Sequence, residues 1–222
     1  MHQAAEDRLS IPASSILVLL ITLVVVTPLA IWRMAQHLAS PTAEVITLED
    51  DGERFRGHWK VGKVDFVVEE GIDEPRSTGT FTLSVTLPPG EEDETVKVVI
   101  GLEAARDGFI EKVLFLDPDG DGICSATICI RSAGSGSYLQ ILQYTLSFEG
   151  IDSEGTWSNL TAIPEHLSVG YIGHDTIERQ SEMLVRTFPI HLDGDTNAAP
   201  SAGTRSLIWD FHSRRWRPDP RK

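Results

Sequence analysis

Thr80-Phe81-Thr82-Leu83-Ser84-Val85-Thr86-Leu87 is the stretch on which the fold turns. Large apolar side chains occupy every second position and small hydroxylic ones lie between them, the two-residue period of a strand with one dry and one wet face. The same alternation recurs at Val64, Phe66 and Val68, at Val96, Val98, Ile100 and Leu102, and at Leu142, Tyr144, Leu146 and Phe148. Turn signals separate these runs: Gly71, Pro75 to Gly79, Pro88-Pro89-Gly90, Asp107-Gly108 and Asp117 to Gly122. No helix-length amphipathic run lies between them, so residues 44–150 read as an antiparallel β-sandwich and the chain as all-β.

Ahead of this domain, Leu9 to Trp32 carries no charge, and Ile16 to Val26 is almost purely aliphatic. As a helix this segment reaches about 36 Å at 1.5 Å per residue, enough to cross a bilayer's hydrocarbon core. Pro12 and Pro28 sit near its ends, and Trp32 falls at interface depth. Cleavage as a signal peptide needs small residues at −3 and −1, yet cuts after Ala35, Ala39 or Ala43 place Arg33, His37 or Pro41 at −3. The expectation is an uncleaved transmembrane anchor over residues 9–32, with a flank at 1–8 and a linker at 33–43. Arg8 and Arg33 balance, so charge does not settle its orientation.

Behind the domain, residues 151–213 read as an extension with a β-hairpin. Phe188, Ile190 and Leu192 alternate, Asp193 to Gly203 form a loop, and Leu207, Trp209 and Phe211 alternate again. Residues 214–222 are basic, with two prolines, and read as a tail.

The 222 residues carry 33 acidic and 19 basic side chains, a net charge of −14. Nucleic acid is excluded as a partner because phosphate binding needs a basic footprint, whereas an acidic surface speeds encounter with a basic protein. There is no nucleophile elbow, paired-histidine zinc motif, P-loop or dinucleotide fingerprint, and the seven histidines share no ligand spacing, so no enzyme is expected. Asp117, Asp119 and Asp121, with Gly122, match the first half of a calcium loop, but position 12 is Ile128 where a bidentate glutamate belongs. That excludes an EF-hand. A reduced calcium turn stays open beside the plainer reading of an acidic β-turn, and no other cofactor is expected.

Cys124 and Cys129 are the only cysteines. On a regular strand, five residues separate them by roughly 16 Å and turn them to opposite faces. A disulfide needs Cα atoms within about 7 Å, so strand and bridge exclude each other, and the strand is the preferred reading.

Between that strand and the next lies Arg131-Ser132-Ala133-Gly134-Ser135-Gly136-Ser137-Tyr138. Spacing alone favours a plain Gly/Ser hairpin that reverses the chain. Its terminal aromatic hydroxyl, however, is the kind of side chain that enters a partner's pocket.

Three blocks, in order, resemble the family of periplasmic inhibitors of invertebrate-type (I-type) lysozyme: Glu74 to Phe81, Arg106-Asp107-Gly108 to Gly122, and Arg131 to Tyr138. The likeness runs from about Val64 to Glu149, and its most specific part is Ser135-Gly136-Ser137-Tyr138, which fits the family's Ser-Gly-x-Tyr inhibitory motif. The resemblance implies an inhibitor whose loop, with Ser135, Gly136 and Tyr138 in contact and Arg131 and Gly134 in support, blocks the cleft of an I-type lysozyme. Combined with the anchor, it implies a single-pass inner-membrane protein whose soluble domain faces the periplasm. The alternative is a β-sandwich adhesion or calcium-dependent binding module without lysozyme inhibition.

Overall fold

In the computed structural model, residues 43–87, 97–117, 124–147 and 154–221 are described. The anchor predicted at residues 9–32 lies outside them, as do Asp119 and Asp121. Among the described residues no helix is long and apolar enough to cross a membrane.

Among the described residues, thirteen strands follow one another in three antiparallel meanders. The first sheet holds β1 (Ala43–Asp50), β2 (Phe55–Val61), β3 (Val64–Glu70), β4 (Gly79–Leu87) and β5 (Lys97–Arg106). The second holds β6 (Phe109–Leu116), β7 (Ser125–Arg131), β8 (Leu139–Ser147) and β9 (Glu154–Asn159). The third holds β10 (Thr176–Gln180), β11 (Met183–Pro189), β12 (Thr204–Asp210) and β13 (Arg215–Pro218). One 3₁₀ turn, Glu165–Leu167, lies between the second and third sheets in sequence.

The all-β antiparallel expectation holds, and the period that suggested it is visible in β4. Phe81, Leu83 and Val85 are fully buried while the hydroxylic residues between them are half-buried. They join Trp59, Phe66 and Val68 of the first sheet and Phe115, Ile128, Ile130 and Tyr144 of the second in one core. A second core opposes Cys129, Leu139 and Ile141 of the middle sheet to Ile177, Leu184, Phe188, Leu207 and Trp216 of the third. The middle sheet is therefore covered on both faces, which is why every residue of β7 is buried. In a strand buried on both sides, alternation fades into a near-continuous apolar run.

The region after residue 150 differs from the expected extension. β9 pairs with β8 and so belongs to the middle sheet, with Trp157 against the Tyr144 ring at 5.3 Å. The hairpin of β11 and β12 pairs Val185 with Ile208, and it is flanked by β10 and β13 to make four strands. Part of the basic end, read as a tail over 214–222, is the strand Arg215–Pro218. Trp216 in β13 is buried, meets Trp209 at 5.2 Å and donates its indole N–H to the Leu160 carbonyl at 2.7 Å. One tryptophan of this size buries enough apolar surface to hold a four-residue strand whose other side chains, Arg215, Arg217 and Pro218, are exposed.

Cys124 and Cys129 are both buried, and neither is in a disulfide. Cys124 lies in the first core and Cys129 in the second, the opposite-face placement that the strand reading requires. Burial pushes the Cys129 thiol up to about 12.

Candidate functional site

The first block, the Arg106-Asp107-Gly108 start of the second and the third block, far apart in sequence, meet in one place, whereas Asp117 lies beyond the other end of β6. Glu74 folds back on its own block: its carboxylate accepts the Thr80 N–H at 2.6 Å and the Thr80 hydroxyl at 3.0 Å. The Thr80 N–H holds the Glu74 carboxyl below its ordinary value. Arg106, buried at the end of β5, donates to the carbonyls of Thr80 at 3.0 Å, Arg76 at 2.7 Å and Pro75 at 3.2 Å, and also to that of Gly108. Beside it the buried Glu70 accepts the N–H groups of Phe55 at 3.0 Å and Ile110 at 2.6 Å. A guanidinium has five donors in a fixed fork, and here they tie the first two blocks into a single turn structure.

That turn sits under the third block. Gly108 has φ +132, and a Cβ on it would lie 2.0 Å from the Arg131 carbonyl oxygen, so only glycine lets the two backbones approach. Arg131 ends β7 and supports the loop from below. Its Nε donates to Glu111 at 2.6 Å, and one terminal nitrogen donates to the Ser137 carbonyl at 2.9 Å and lies 3.6 Å from the buried Asp175 carboxylate.

The loop closes on itself. Ser132 and Tyr138 face each other across its neck, with the Ser132 N–H on the Tyr138 carbonyl and the Tyr138 N–H on the Ser132 hydroxyl, both at 2.9 Å. At the tip the Ser137 N–H reaches the Gly134 carbonyl at 2.9 Å, and Ser137 adopts φ 45. Gly134 and Gly136 differ in what they contribute. A Cβ at Gly136 would come within 2.4 Å of the Tyr138 ring, whereas one at Gly134 would meet nothing within 4 Å. Close approach therefore requires Gly136 alone. Ser135 is exposed and Tyr138 is 48% exposed, with its ring edge-to-face on Tyr171 at 5.7 Å. Tyr138 also borders a cavity of about 280 Å³ shared with Asp107, Ser132, Gln140, Asn159 and Thr161.

Of the three carboxylates of the calcium reading, only Asp117 lies among the described residues. Asp117 is buried, and its N–H donates to Glu182 of the β10–β11 turn at 2.9 Å. Among the described residues there is no group of three or more histidine, cysteine, aspartate or glutamate side chains able to hold a metal.

Sequence reasoning missed the third sheet's part in this site. The buried Asp175 and Arg186 and the half-buried Tyr171 form a cluster below the loop. Arg186 Nε lies 2.5 Å from Asp175 Oδ2 and one terminal nitrogen 3.0 Å from the Tyr171 hydroxyl, with another on the Thr161 carbonyl at 2.7 Å. Burial pushes the Tyr171 phenol up to about 12. No spacing rule links residue 186 to residue 131, so only the fold brings them together.

Residues 61–161 match the model of the family described as periplasmic lysozyme inhibitor of I-type lysozyme. The resemblance drawn from the three blocks is thus borne out over somewhat less than half of the chain, and it reaches through β9. Members of that family are inhibitors, not enzymes. Two solved structures are similar. One is that inhibitor from Aeromonas hydrophila, 28% identical, covering 53% of this chain and 89% of its own with a TM-score of 0.36. The other is the Aeromonas hydrophila inhibitor in complex with Meretrix lusoria lysozyme, 21% identical, covering 56% and 89% with a TM-score of 0.36. No curated protein matches.

Proposed function

We propose that this chain is a periplasmic inhibitor of I-type lysozyme, held to the inner membrane by residues 9–32, that blocks the enzyme's cleft with the loop Ser135 to Tyr138. The observation that carries the reading is the convergence of the first block, Arg106-Asp107-Gly108 and the third block on one exposed loop, inside the segment that matches the inhibitor family.

The mechanism follows from what a lysozyme cleft contains. Two carboxylic side chains face each other across the scissile bond, one kept protonated and the other charged. The Ser135 hydroxyl, exposed at the loop tip, donates to a catalytic carboxylate, a charge-assisted bond stronger than one between neutral groups. Tyr138 lies in a sugar subsite, where an aromatic ring with a polar end replaces the apolar face and hydroxyl of a sugar. Gly136 keeps the backbone slim at the point of entry. The net charge of −14 speeds encounter with a basic enzyme and makes association weaken with salt.

The test is turnover of peptidoglycan by an I-type lysozyme with the full chain added. Inhibition is expected, and it should fall when Ser135→Ala and Tyr138→Ala are combined while the domain stays folded. Normal inhibition by the double variant would sink the assignment of the loop. Inhibition that appears only with calcium, and is lost in Asp117→Asn, would favour a calcium-dependent binding module instead.

A further inference from the structure

Two segments that flank strands of the third sheet, Gly173-His174 ahead of β10 and the β11–β12 loop around Asn197, both outside residues 61–161, touch the loop, and their hydrogen bonds to it are to backbone carbonyls. Asn197 Nδ2 donates to the Ser135 carbonyl at 2.7 Å. The His174 N–H donates to the Gly136 carbonyl at 3.0 Å and lies 3.3 Å from that of Ser137. His174 Nε2 is 3.0 Å from Asn197 Oδ1, which fixes the end of the amide that turns to Ser135. Gly173, at φ +101, packs so closely that a Cβ would lie 1.8 Å from the Gly136 carbonyl oxygen.

Asn197 is itself held in place. It sits in the turn closed by the Ala199 N–H on the Thr196 carbonyl at 3.0 Å. The Asp195 carboxylate ties that turn's flanks by accepting the N–H groups of Leu192 at 2.8 Å and Ser201 at 2.9 Å. The contacts thus come from a shaped element and fall on three successive loop carbonyls, while the Ser135 and Tyr138 side chains stay exposed. A covering segment would bury those side chains; a clamp on the main chain fixes them for use.

We infer that Asn197 and His174 are positioning residues, a backbone clamp by which the third sheet holds the inhibitory loop in its binding shape. The inference rests on the loop being the inhibitory site. A loop already ordered loses less conformational entropy on docking, and when only a fraction of molecules is competent, apparent affinity falls by that fraction.

The test uses the full chain carrying Asn197→Asp, which keeps the side chain's shape and its acceptor toward His174 but replaces the donor to Ser135 with a carboxylate. Expected are faster amide hydrogen exchange at Ser137 and His174, inhibition of an I-type lysozyme weakened about three- to tenfold, and an unchanged Tm. In a Tyr138→Ala background the inhibition effect should shrink, as it does when one residue acts through another. Unchanged exchange and inhibition in Asn197→Asp, while Tyr138→Ala is impaired, would overturn the clamp and leave the inhibitor reading intact. Faster exchange with no effect of either variant on inhibition would support the clamp and overturn the inhibitor reading. Asn197→Ala is the control: loss of inhibition by Asn197→Asp alone would mean charge repulsion rather than a missing donor, and would also overturn the clamp.

Discussion

On one face of the middle sheet, Phe66 and Phe115 meet with ring centroids 5.0 Å apart, and Tyr144 and Trp157 at 5.3 Å, in a core of apolar and aromatic side chains. On the other face an apolar core of similar kind is joined by Arg186 and Asp175, which are fully buried, and by Arg131 at its margin. An apolar face asks only for volume and pattern, whereas a buried ion pair demands geometry, because each charge is costly without the other. The second face therefore ties the loop's base to the third sheet in one arrangement, and it does so where the first block, Arg106-Asp107-Gly108 and the third block converge.

The comparison breaks most sharply if one partner of the ion pair is removed. Arg186→Met leaves Asp175 buried and should cost about 3–5 kcal/mol in urea unfolding. The loss should open the third sheet first, so that Cys129 is alkylated before Cys124. In the native protein Cys129 should resist alkylation, since a thiol pushed up to about 12 is almost wholly un-ionised at neutral pH. A cost below about 1 kcal/mol would mean that the apolar contacts alone seat the sheet. On the first face, Phe81→Ala should cost about 3–5 kcal/mol, and here both thiols should become reactive together.

A smaller effect is expected where both faces should be indifferent. Tyr138→Ala removes a half-exposed ring, so Tm should barely move, while inhibition should weaken by about 2 kcal/mol, roughly thirtyfold. A Tm drop as large as that of Phe81→Ala would make Tyr138 a packing residue.

The smallest effect lies at the rim of the first sheet. The Arg76 guanidinium donates to Asp50 at 2.7 and 2.9 Å and holds its carboxyl below the ordinary 3.8. With the folded value below the unfolded one, the pair stabilises the fold above about pH 3.8, and the contribution is lost as pH falls through the depressed value. Arg76→Gln should therefore flatten the acid limb of a stability–pH curve by no more than about 1 kcal/mol, since the pair is partly exposed. The Asp50 titration followed by NMR checks the sign.

What could be read from sequence tracks the same comparison. β4 shows its period plainly because one face is dry and the other half-wet, and the loop could be located because glycines and serines interrupt two strands. The third sheet was harder to see. Arg186, in the middle of β11, falls on the same face as the buried Leu184 and Phe188, where alternation asks for an apolar residue, and it is held there because Asp175 and Tyr171 meet it. The basic run Arg214 to Arg217 resembles a tail, yet one buried tryptophan outweighs its charged neighbours. Asn197 lay within a loop recognised only as a loop, with no local pattern to relate it to Ser135, 62 residues earlier.

The central claim, that the loop enters a glycan-binding cleft, is tested most directly by competition. Binding of the full chain to an I-type lysozyme is measured calorimetrically as a chito-oligosaccharide is added to fill the enzyme's cleft. Apparent affinity should fall in proportion to cleft occupancy, and Tyr138→Ala should lose most of that sensitivity. Affinity that is indifferent to the oligosaccharide would place the contact elsewhere on the enzyme and contradict the account.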